Sequence, residues 1–285
     1  MNDTTEAVRE IERIEGLARE IRLSIVTMLE QAGSGHSAGP LGMADLMAVL
    51  YGSVLRHRPE DPGWADRDIF MLSNGHTAPV LYAAMAHTGY FPLEELLTLR
   101  RWGTRLQGHP ERRLLAGLES TSGPLGSGLS QAAGYAHVVQ HLDQHPDRRV
   151  YVMMGDGELN EGNIWEAAMY AAKYRLHQLI GIVDRNFIQI DGDTEDVMPL
   201  GDLAGKWRAF GWHVVEVDGH DVPAIMQAIE ACKAEGGRPS VILAHTVPGK
   251  GVPFMEGDHT WHGRVPDAAQ ANIAREAITA GRREP

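Results

Sequence analysis

The sequence predicts an α/β fold, a parallel sheet with helices on both faces. In its second half, short apolar runs alternate with segments of helical periodicity, and no internal repeat or low-complexity linker interrupts them. Strand and helix in alternation imply parallel strands joined by helical crossovers. We expect strands at 149–154, 179–184, 213–217 and 240–246, with helices at 163–175, 202–211 and 222–235.

The first half is predicted to be mostly helical. Residues 6–31 carry apolar side chains at largely helical spacing, which indicates a long opening helix. A short strand is expected at 69–72. Further helices are expected at 43–55, 77–88, 93–102 and within 124–140, the last beginning beyond Gly126, Gly128 and Gly134. The main domain then spans 1–265, and 266–285 forms a short helix and a polar tail with a basic patch at Arg282 and Arg283.

Composition excludes several classes of protein. The chain has 285 residues, 43% of them hydrophobic, enough for one large or two small soluble domains. No run of about eighteen apolar residues occurs, and Met1–Glu6 lacks a signal peptide's basic start, so we expect a cytoplasmic protein. A net charge of −12 argues against nucleic-acid and anionic-membrane partners. The single cysteine, Cys232, excludes an internal disulfide and a multi-cysteine metal site.

The segment Gly155-Asp156-Gly157, together with Asn186, predicts a metal-diphosphate cradle. Each follows an apolar run that reads as a buried strand, and ligands of open parallel sheets bind beyond the carboxyl ends of the strands. Mg²⁺ prefers oxygen ligands, usually one or two carboxylates plus substrate phosphates. Asp156 would supply charge, and Asn186 a neutral oxygen that does not repel the diphosphate. The helix beginning near Asn163 would point its positive end toward the same crevice.

The cradle resembles the cofactor signature of thiamine-diphosphate enzymes, although a Gly-Asp-Gly triplet alone is most often a turn. Five further segments occur in a fixed order, and with the cradle they resemble transketolase over about residues 10–265. These segments are Ser34–Gly42, Leu72–His76, Leu106–Glu111, Gly123–Gly128 and His259–Gly263.

The resemblance implies thiamine diphosphate and Mg²⁺ (or Ca²⁺ or Mn²⁺) as cofactors. It implies transfer of a two-carbon ketol unit from a ketose to an aldose, with the protein supplying position and hydrogen bonds. His76 and His262 would contact the diphosphate, while His36 and His109 would hydrogen-bond the substrate and move protons. Gly123, Leu125, Gly155, Asp156, Gly157 and Asn186 would complete the cofactor site, with Asp156, Asn186 and the Ile188 carbonyl as metal ligands.

Two positions leave alternatives open. Glu161 stands where such enzymes keep a buried glutamate that links two active sites, but a carboxylate there also suits a helix N-terminus. Where the family commonly has Gly-His-Pro-Gly, this chain has Gly35-His36-Ser37-Ala38-Gly39. That change lies beside the sugar, so the identity of the substrate stays open, a sugar phosphate or another small acidic sugar.

The resemblance covers only half of a transketolase. The domain that binds the aminopyrimidine ring and supplies an activating glutamate would follow the diphosphate domain, yet about 20 residues follow Gly263. We therefore expect a two-plus-two heterotetramer with a separately encoded C-terminal subunit. The alternatives are the α subunit of a thiamine-dependent 2-oxoacid dehydrogenase, which would not carry the His36, His109 and His259–His262 set, and an inactive scaffold that kept the fold.

Overall fold

The computed structural model describes residues 2–281, with side-chain burial from residue 5 onward. The predicted basic patch at Arg282 and Arg283 lies outside the described residues.

A five-stranded, fully parallel sheet forms the centre of the molecule, in the strand order β1-β2-β3-β7-β6. Its strands are β1 Ile69–Leu72, β2 Val150–Gly155, β3 Leu179–Arg185, β6 His213–Asp218 and β7 Ser240–His245. A small antiparallel hairpin, β4 Ile188–Gln189 with β5 Gly192–Asp193, was not predicted. All five sheet strands were predicted within one or two residues, because four are short, largely apolar runs covered on both faces and the edge strand β6 still carries three valines.

Helices cover both faces of the sheet, as predicted. One face carries α1 Asn2–Ala32, α3 Ala44–Val49, α4 Ala78–His87, α9 Val222–Ala234 and α10 Ala268–Ala280. The other carries α5 Ser127–His137, α6 Gly162–Lys173 and α8 Leu203–Ala209. Two short helices, α2 Ala38–Gly42 and α7 Thr194–Val197, lie in loops.

Alternate residues of each strand feed two separate cores. In β2, Tyr151 and Met153 enter the core beneath α1, while Val150, Val152 and Met154 enter the core beneath α5 and α6. This is the period-2 alternation of a strand, with both sides apolar. The sheet is therefore covered on both faces, and polar groups of the strands are left to meet a ligand only at the strand ends.

The helix predicted over 93–102 is wrong. Only a 3₁₀ helix, Leu93–Thr98, forms, and Leu99 then turns to an extended ψ of 128°. Arg100 adopts a left-handed φ of 60°, and its backbone N–H donates to the Leu106 carbonyl at 3.0 Å. The chain folds back at this point because only Leu96 and Leu99 of the segment find a core to enter.

The helix within 124–140 begins earlier than predicted. It starts at Ser127, immediately after Gly126 in a left-handed conformation, so Gly128 and Gly134 lie inside it. Gly128 is required by packing, since a Cβ atom there would collide with Ser73 at the end of β1. The sequence could not distinguish a glycine that breaks a helix from one that lets a helix approach a strand.

The chain after residue 265 packs against the main core. Ala271, Ala274 and Ile278 of α10 are buried in the same cluster as α1, and Arg275 pairs with Glu30 at 2.6 Å. The division of the chain at residue 265 stays a prediction. Across residues 2–281, no helix is both long and apolar enough to cross a membrane.

Candidate functional site

One cavity of about 460 Å³ opens at the carboxyl edge of the sheet. Every residue that the sequence proposed for the site lines it except Glu161. The predicted residues around it are His36, His76, His109, Gly123, Leu125, Gly155, Asp156, Gly157, Asn186, Ile188 and His262, joined by Gly39, Asn74, Thr77, Glu158, Asp184, Gln189 and Ile190. Segments far apart in the sequence thus meet at one edge, as the topology of a parallel sheet requires.

Asp156 follows β2 and is 1% exposed. Its Oδ2 accepts hydrogen bonds from Arg185 Nη1 at 3.0 Å and from the Phe187 backbone N–H at 2.8 Å. Its Oδ1 accepts only from the Gly157 N–H, at 2.8 Å. Burial raises the pKa of Asp156, and the Phe187 amide and the Arg185 charge oppose that rise. Because a carboxylate oxygen offers two lone pairs, Oδ1 keeps one free for the cavity.

Asn186 follows β3, and Asp184 fixes its orientation. Asn186 Nδ2 donates to Asp184 Oδ2 at 2.7 Å, while its Oδ1 accepts from the Ile188 N–H at 3.0 Å. Thr246 donates to the other Asp184 oxygen. Burial raises the pKa of Asp184 to about 7, with the nearby Asp156 charge adding to it. The amide oxygen of Asn186 therefore keeps one free lone pair, as Asp156 does.

These two oxygens, each with a free lone pair, are of the kind that Mg²⁺ uses as ligands. One carboxylate and one amide oxygen leave most of the coordination sphere to other ligands, as Mg²⁺ sites with phosphates do. Within residues 2–281, no three His, Cys, Asp or Glu side chains cluster as a complete metal site would. The donor set is therefore suited to a cation held jointly with an anionic ligand and unsuited to one held by protein alone.

Three histidines pack together on another wall of the cavity. The ring centroid of His76 lies 4.9 Å from that of His36 and 5.2 Å from that of His262, and His36 lies 5.6 Å from His262. The Nδ1 atoms of His36 and His262 and the Oδ1 of Asn74 are buried without a hydrogen-bond partner. Buried polar atoms are nearly always paired, so these unpaired atoms indicate a wall built to receive a polar ligand.

Burial keeps the three imidazoles neutral. Burial, with a smaller contribution from the neighbouring histidines, lowers the pKa of His36 to about 4 and that of His76 to about 3. Burial also lowers the pKa of His262. The pKa of His109, which is more exposed, falls through partial burial and the Arg100 charge. A neutral imidazole both donates and accepts a hydrogen bond, so each ring can bind an oxyanion through N–H.

Ser37 ties the turn of His36 to that of His262. Its buried hydroxyl donates to the Arg264 carbonyl at 2.6 Å. Ser37, which stands at the position that departs from the family pattern, is thus hydrogen-bonded to Arg264, two residues after His262.

Glu158 is a buried carboxylate that sequence reasoning missed. It accepts hydrogen bonds from the Ser73 hydroxyl, from the Gly126 N–H at 2.6 Å and from the Gly155 N–H at 3.1 Å. It thereby joins β1, the Gly123–Gly128 turn and the cradle. Burial raises its pKa, and these hydrogen bonds oppose the rise. The position of Glu158 directly after the Gly-Asp-Gly turn could have indicated this role, because a carboxylate beside the end of a buried strand can accept hydrogen bonds from backbone amides.

Glu161 lies outside the cavity. It is the N-cap residue of α6, is exposed, and its side chain makes no capping hydrogen bond. A 3₁₀ turn, Gly157–Asn160, separates α6 from the cavity, and none of the described cavity residues belongs to α6. α6 therefore does not line the cavity, and both the direction of its N-terminus toward the crevice and a role for Glu161 across a subunit interface stay predictions.

Comparisons with known proteins give one family. The transketolase thiamine diphosphate binding domain matches residues 14–283. The chain is 46% identical to a 6-deoxy-6-sulfo-D-fructose transketolase subunit of Clostridium sp. (strain MSTE9), over 86% of this chain and 88% of that protein. It is 37% identical to an apulose-4-phosphate transketolase subunit of Phocaeicola vulgatus, over 95% of each.

Among solved structures, the transketolase of Campylobacter jejuni superposes with a TM-score of 0.86 at 33% identity, covering 95% of this chain and 43% of that one. The chain thus spans less than half of that transketolase but nearly the whole of the two subunits. The resemblance drawn from the sequence motifs is confirmed, and the chain belongs to the transketolase family, whose thiamine diphosphate binding domain it contains.

Proposed function

We propose that this chain is the diphosphate-binding subunit of a two-chain transketolase. It binds thiamine diphosphate with Mg²⁺ and, with a partner subunit, transfers a two-carbon ketol unit from a ketose to an aldose. The observation that carries the proposal is the cavity at the sheet edge, in which free carboxylate and amide oxygens share the lining with neutral histidines. A ligand there meets a cation site at one wall and hydrogen-bonding imidazoles at another.

The diphosphate end is assigned to Asp156, Asn186 and the Ile188 carbonyl through the cation, and to His76 and His262 through hydrogen bonds. Deeply buried imidazoles stay neutral, so the hydrogen bonds that their N–H groups donate to phosphate oxygens do not vary with pH near neutrality. Gly123, Gly155 and Gly157 let backbone approach the ligand, and Leu125, 37% exposed, offers an apolar contact beside it.

The sugar end is assigned to His36 and His109. When bound, the cofactor supplies the electron sink that carbon–carbon cleavage requires. His36 and His109 then hold the reacting oxygens by hydrogen bonds and move protons at those oxygens. His109 suits proton transfer to a diffusing substrate because it is the least buried of the four histidines.

A partner subunit is supported by the two relatives named as subunits, and by an exposed apolar patch. This α5–α6 patch consists of side chains that are between 36% and 69% exposed: Val138 and Leu142 in the π-helical turn that continues α5, and Met169, Tyr170 and Tyr174 at the end of α6. Clustered exposed apolar side chains of this kind mark protein interfaces. We assign the patch to the interface with the partner subunit in a two-plus-two heterotetramer. We place this heterotetramer in the cytoplasm and expect no nucleic-acid or membrane partner.

We propose an acidic small sugar, phosphorylated or sulfonated, as the ketose. The two subunit relatives are named for a sulfo-fructose and for a sugar phosphate. Arg100 lies beside the sugar end, where its charge lowers the pKa of both His36 and His109. Its guanidinium contacts Ser34 at 3.4 Å and adjoins Gly108, and a cation in that position attracts an anionic group on the substrate.

The test is ketol transfer between ketose and aldose phosphates, and between their sulfonated counterparts, by the purified chain with and without a candidate C-terminal subunit. We expect turnover only in the mixture with added thiamine diphosphate and Mg²⁺. Robust turnover by the chain alone would contradict the two-chain assignment. Decarboxylation of a 2-oxoacid by the mixture would instead indicate a dehydrogenase subunit, and a complex that retains no cofactor would indicate a scaffold.

A further inference from the structure

Arg185 connects the cavity to the segment that follows β3. It is the last residue of β3, and its side chain is 7% exposed. Nη1 donates to Asp156 and to the Thr194 hydroxyl, both at 3.0 Å, while Nη2 donates to Glu195 at 2.5 Å. The guanidinium also lies over the Phe187 ring, 4.0 Å from its centroid. One planar fork therefore bridges two carboxylates, a geometry that a lysine ammonium does not reproduce.

On the cavity side, this bridge selects the oxygen that Asp156 offers. Arg185 and the Phe187 N–H fill both lone pairs of Oδ2, whereas Oδ1 has a single donor. The carboxylate is therefore held in one rotation, with Oδ1 free. Partners that orient a metal-binding carboxylate in this way commonly change metal affinity by about 10- to 100-fold.

On the outer side, the bridge anchors residues 188–201, the segment that carries the β4–β5 hairpin and α7. Of its side chains only Ile188, Thr194 and Leu200 are buried. Glu195 accepts from Arg185 and from the backbone N–H groups of Leu200 and Gly201 at 3.3 and 3.2 Å. A segment with so little apolar burial depends on such polar anchors for its order.

The same segment borders the ligand. Ile188, Gln189 and Ile190 line the cavity, and Ile190 is 64% exposed. The guanidinium of Arg185 thus binds both Asp156 in the cavity and Glu195, which anchors this segment.

We propose that Arg185 is a positioning residue that couples cation binding at Asp156 to the ordering of the 188–201 segment over the cavity. The inference rests on the proposed function, which makes Asp156 a cation ligand. Coupling between two sites is reciprocal. A cation bound at Asp156 should therefore stabilise the segment, and loss of the segment's anchor should lower the affinity of Asp156 for the cation.

A charge-conserving variant separates this coupling from simple electrostatics. Arg185→Lys keeps the positive charge but loses the fork, so a purely Coulombic effect on a nearby cation would be unchanged. Glu195→Ala leaves the Asp156–Arg185 contact in place and removes only the acceptor oxygens that anchor the segment to Arg185, Leu200 and Gly201. The matched control is Arg275→Lys, because Arg275 also bridges two partners, Glu30 and Asn272, both at 2.6 Å and outside the cavity lining.

Two measurements test the proposal. Binding of Mn²⁺ to the assembled two-chain complex, with saturating thiamine diphosphate, is followed by the EPR signal of free Mn²⁺ at pH 7 and pH 8. Amide hydrogen exchange of residues 194–201 is followed in the full chain alone and in the complex with and without Mn²⁺. We expect Arg185→Lys and Glu195→Ala to weaken Mn²⁺ binding about tenfold at both pH values and to speed amide exchange in the segment. Arg275→Lys should change neither.

Wild-type Mn²⁺ affinity in Arg185→Lys would overturn the proposal, as would a loss present at pH 7 but absent at pH 8, which would reflect protonation of Asp156. An Mn²⁺-induced slowing of exchange that persists in Glu195→Ala would overturn it as well. Asp156→Ala is measured alongside. If Asp156→Ala loses Mn²⁺ while Arg185→Lys does not, the inference fails and the proposed function stands. If Asp156→Ala binds Mn²⁺ normally, the cation site of the proposed function fails.

Discussion

The imidazole rings of His36 and His76 lie 4.9 Å apart, inclined at 55°, although they come from separate turns before α2 and after β1. The His262 ring lies within 6 Å of both and completes the cluster. Protonating any one of them places a charge in a buried site beside two other imidazoles. The cluster is therefore stable only while its rings are neutral.

Acid should destabilise the ligand-free chain through this cluster. The pKa values of His36 and His76 fall from 6.5 to about 4 and about 3 on folding, so the unfolded chain binds more protons below pH 6.5. The contribution is fully present above pH 6.5 and is lost as pH falls from 6.5 toward 4. At about 1.4 kcal/mol per pKa unit, we expect the two shifts together to cost on the order of 3–6 kcal/mol between pH 7 and pH 4. Urea unfolding at several pH values measures it. His76→Asn should reduce the pH dependence of the free energy of unfolding, whereas His141→Asn, at an exposed position, should not. An equal pH dependence in the wild type and both variants would contradict the argument.

Asp156→Ala should abolish metal-dependent retention of thiamine diphosphate, because it removes the charged oxygen that has a free lone pair at the cradle. Calorimetric titration of the cofactor into the assembled complex, with Mg²⁺ and with EDTA, measures the effect. The Glu276→Ala complex is the comparison, since Glu276 is exposed on α10 and lies outside the cavity. Unchanged affinity in Asp156→Ala would rule out the metal assignment.

His109→Ala should lower ketol transfer more than cofactor affinity, and His76→Ala should do the reverse. The reason is position, since His76 is buried with His262 while His109 is more exposed and lies outside that cluster. General acid–base or oxyanion groups contribute roughly 10² to 10³ in rate. Steady-state rates and cofactor titrations on both variants give the comparison. Full turnover in His109→Ala across several donor sugars would remove His109 from the reaction.

Met169→Lys should weaken assembly of the two chains without unfolding this one. Met169 is 55% exposed on α6, so a lysine there costs little in the isolated chain, but a charge buried in an apolar interface is unfavourable. Analytical ultracentrifugation with the partner subunit reports assembly, and circular dichroism reports the fold. Ile273→Lys, at a position on α10 that is 53% exposed, provides the control. Normal assembly of Met169→Lys would place the interface elsewhere.

Gly128→Ala should destabilise the chain by about 1–3 kcal/mol, the usual range for overpacking. The new methyl group would meet Ser73, whose hydroxyl donates to Glu158 and accepts from the Gly128 N–H at 3.1 Å. Chemical denaturation measures the change. Gly134→Ala in the same helix meets no atom within 4 Å and should be neutral or stabilising. Equal stability of the two variants would contradict the packing role of Gly128.

The sheet and the cavity were predictable for the same reason. Each strand is an apolar run covered on both faces, and the residues that end it are polar or glycine, so Asp156 and Asn186 could be placed at one edge from the pattern alone. The histidines could not be placed in that way, because a histidine after glycine is usually a loop residue, and only the family resemblance assigned His36, His76, His109 and His262.

The supporting residues were missed because their role depends on contacts across the fold. Asp184 precedes Asn186 by two residues and reads as part of a strand, yet its carboxylate orients the Asn186 amide. Arg185 reads as a strand end, yet it bridges Asp156 and Glu195. Such roles require knowing which side of a strand faces a neighbour, and the direction of a side chain at the last residue of a strand does not follow from periodicity.

The position of β7 governs the order in which the sheet can be completed. β7 lies between β3 and β6, although it is the last strand of the sheet in sequence. On the ribosome, β6 therefore emerges with no neighbour to pair with, and β3 keeps an open edge until residues 240–245 have left the exit tunnel. An open edge of an apolar strand is a template for pairing with other chains. The unpaired edge of β3 thus persists until the chain is almost complete, and slow synthesis of the residues after β6 would lengthen the interval in which that edge can pair with other molecules.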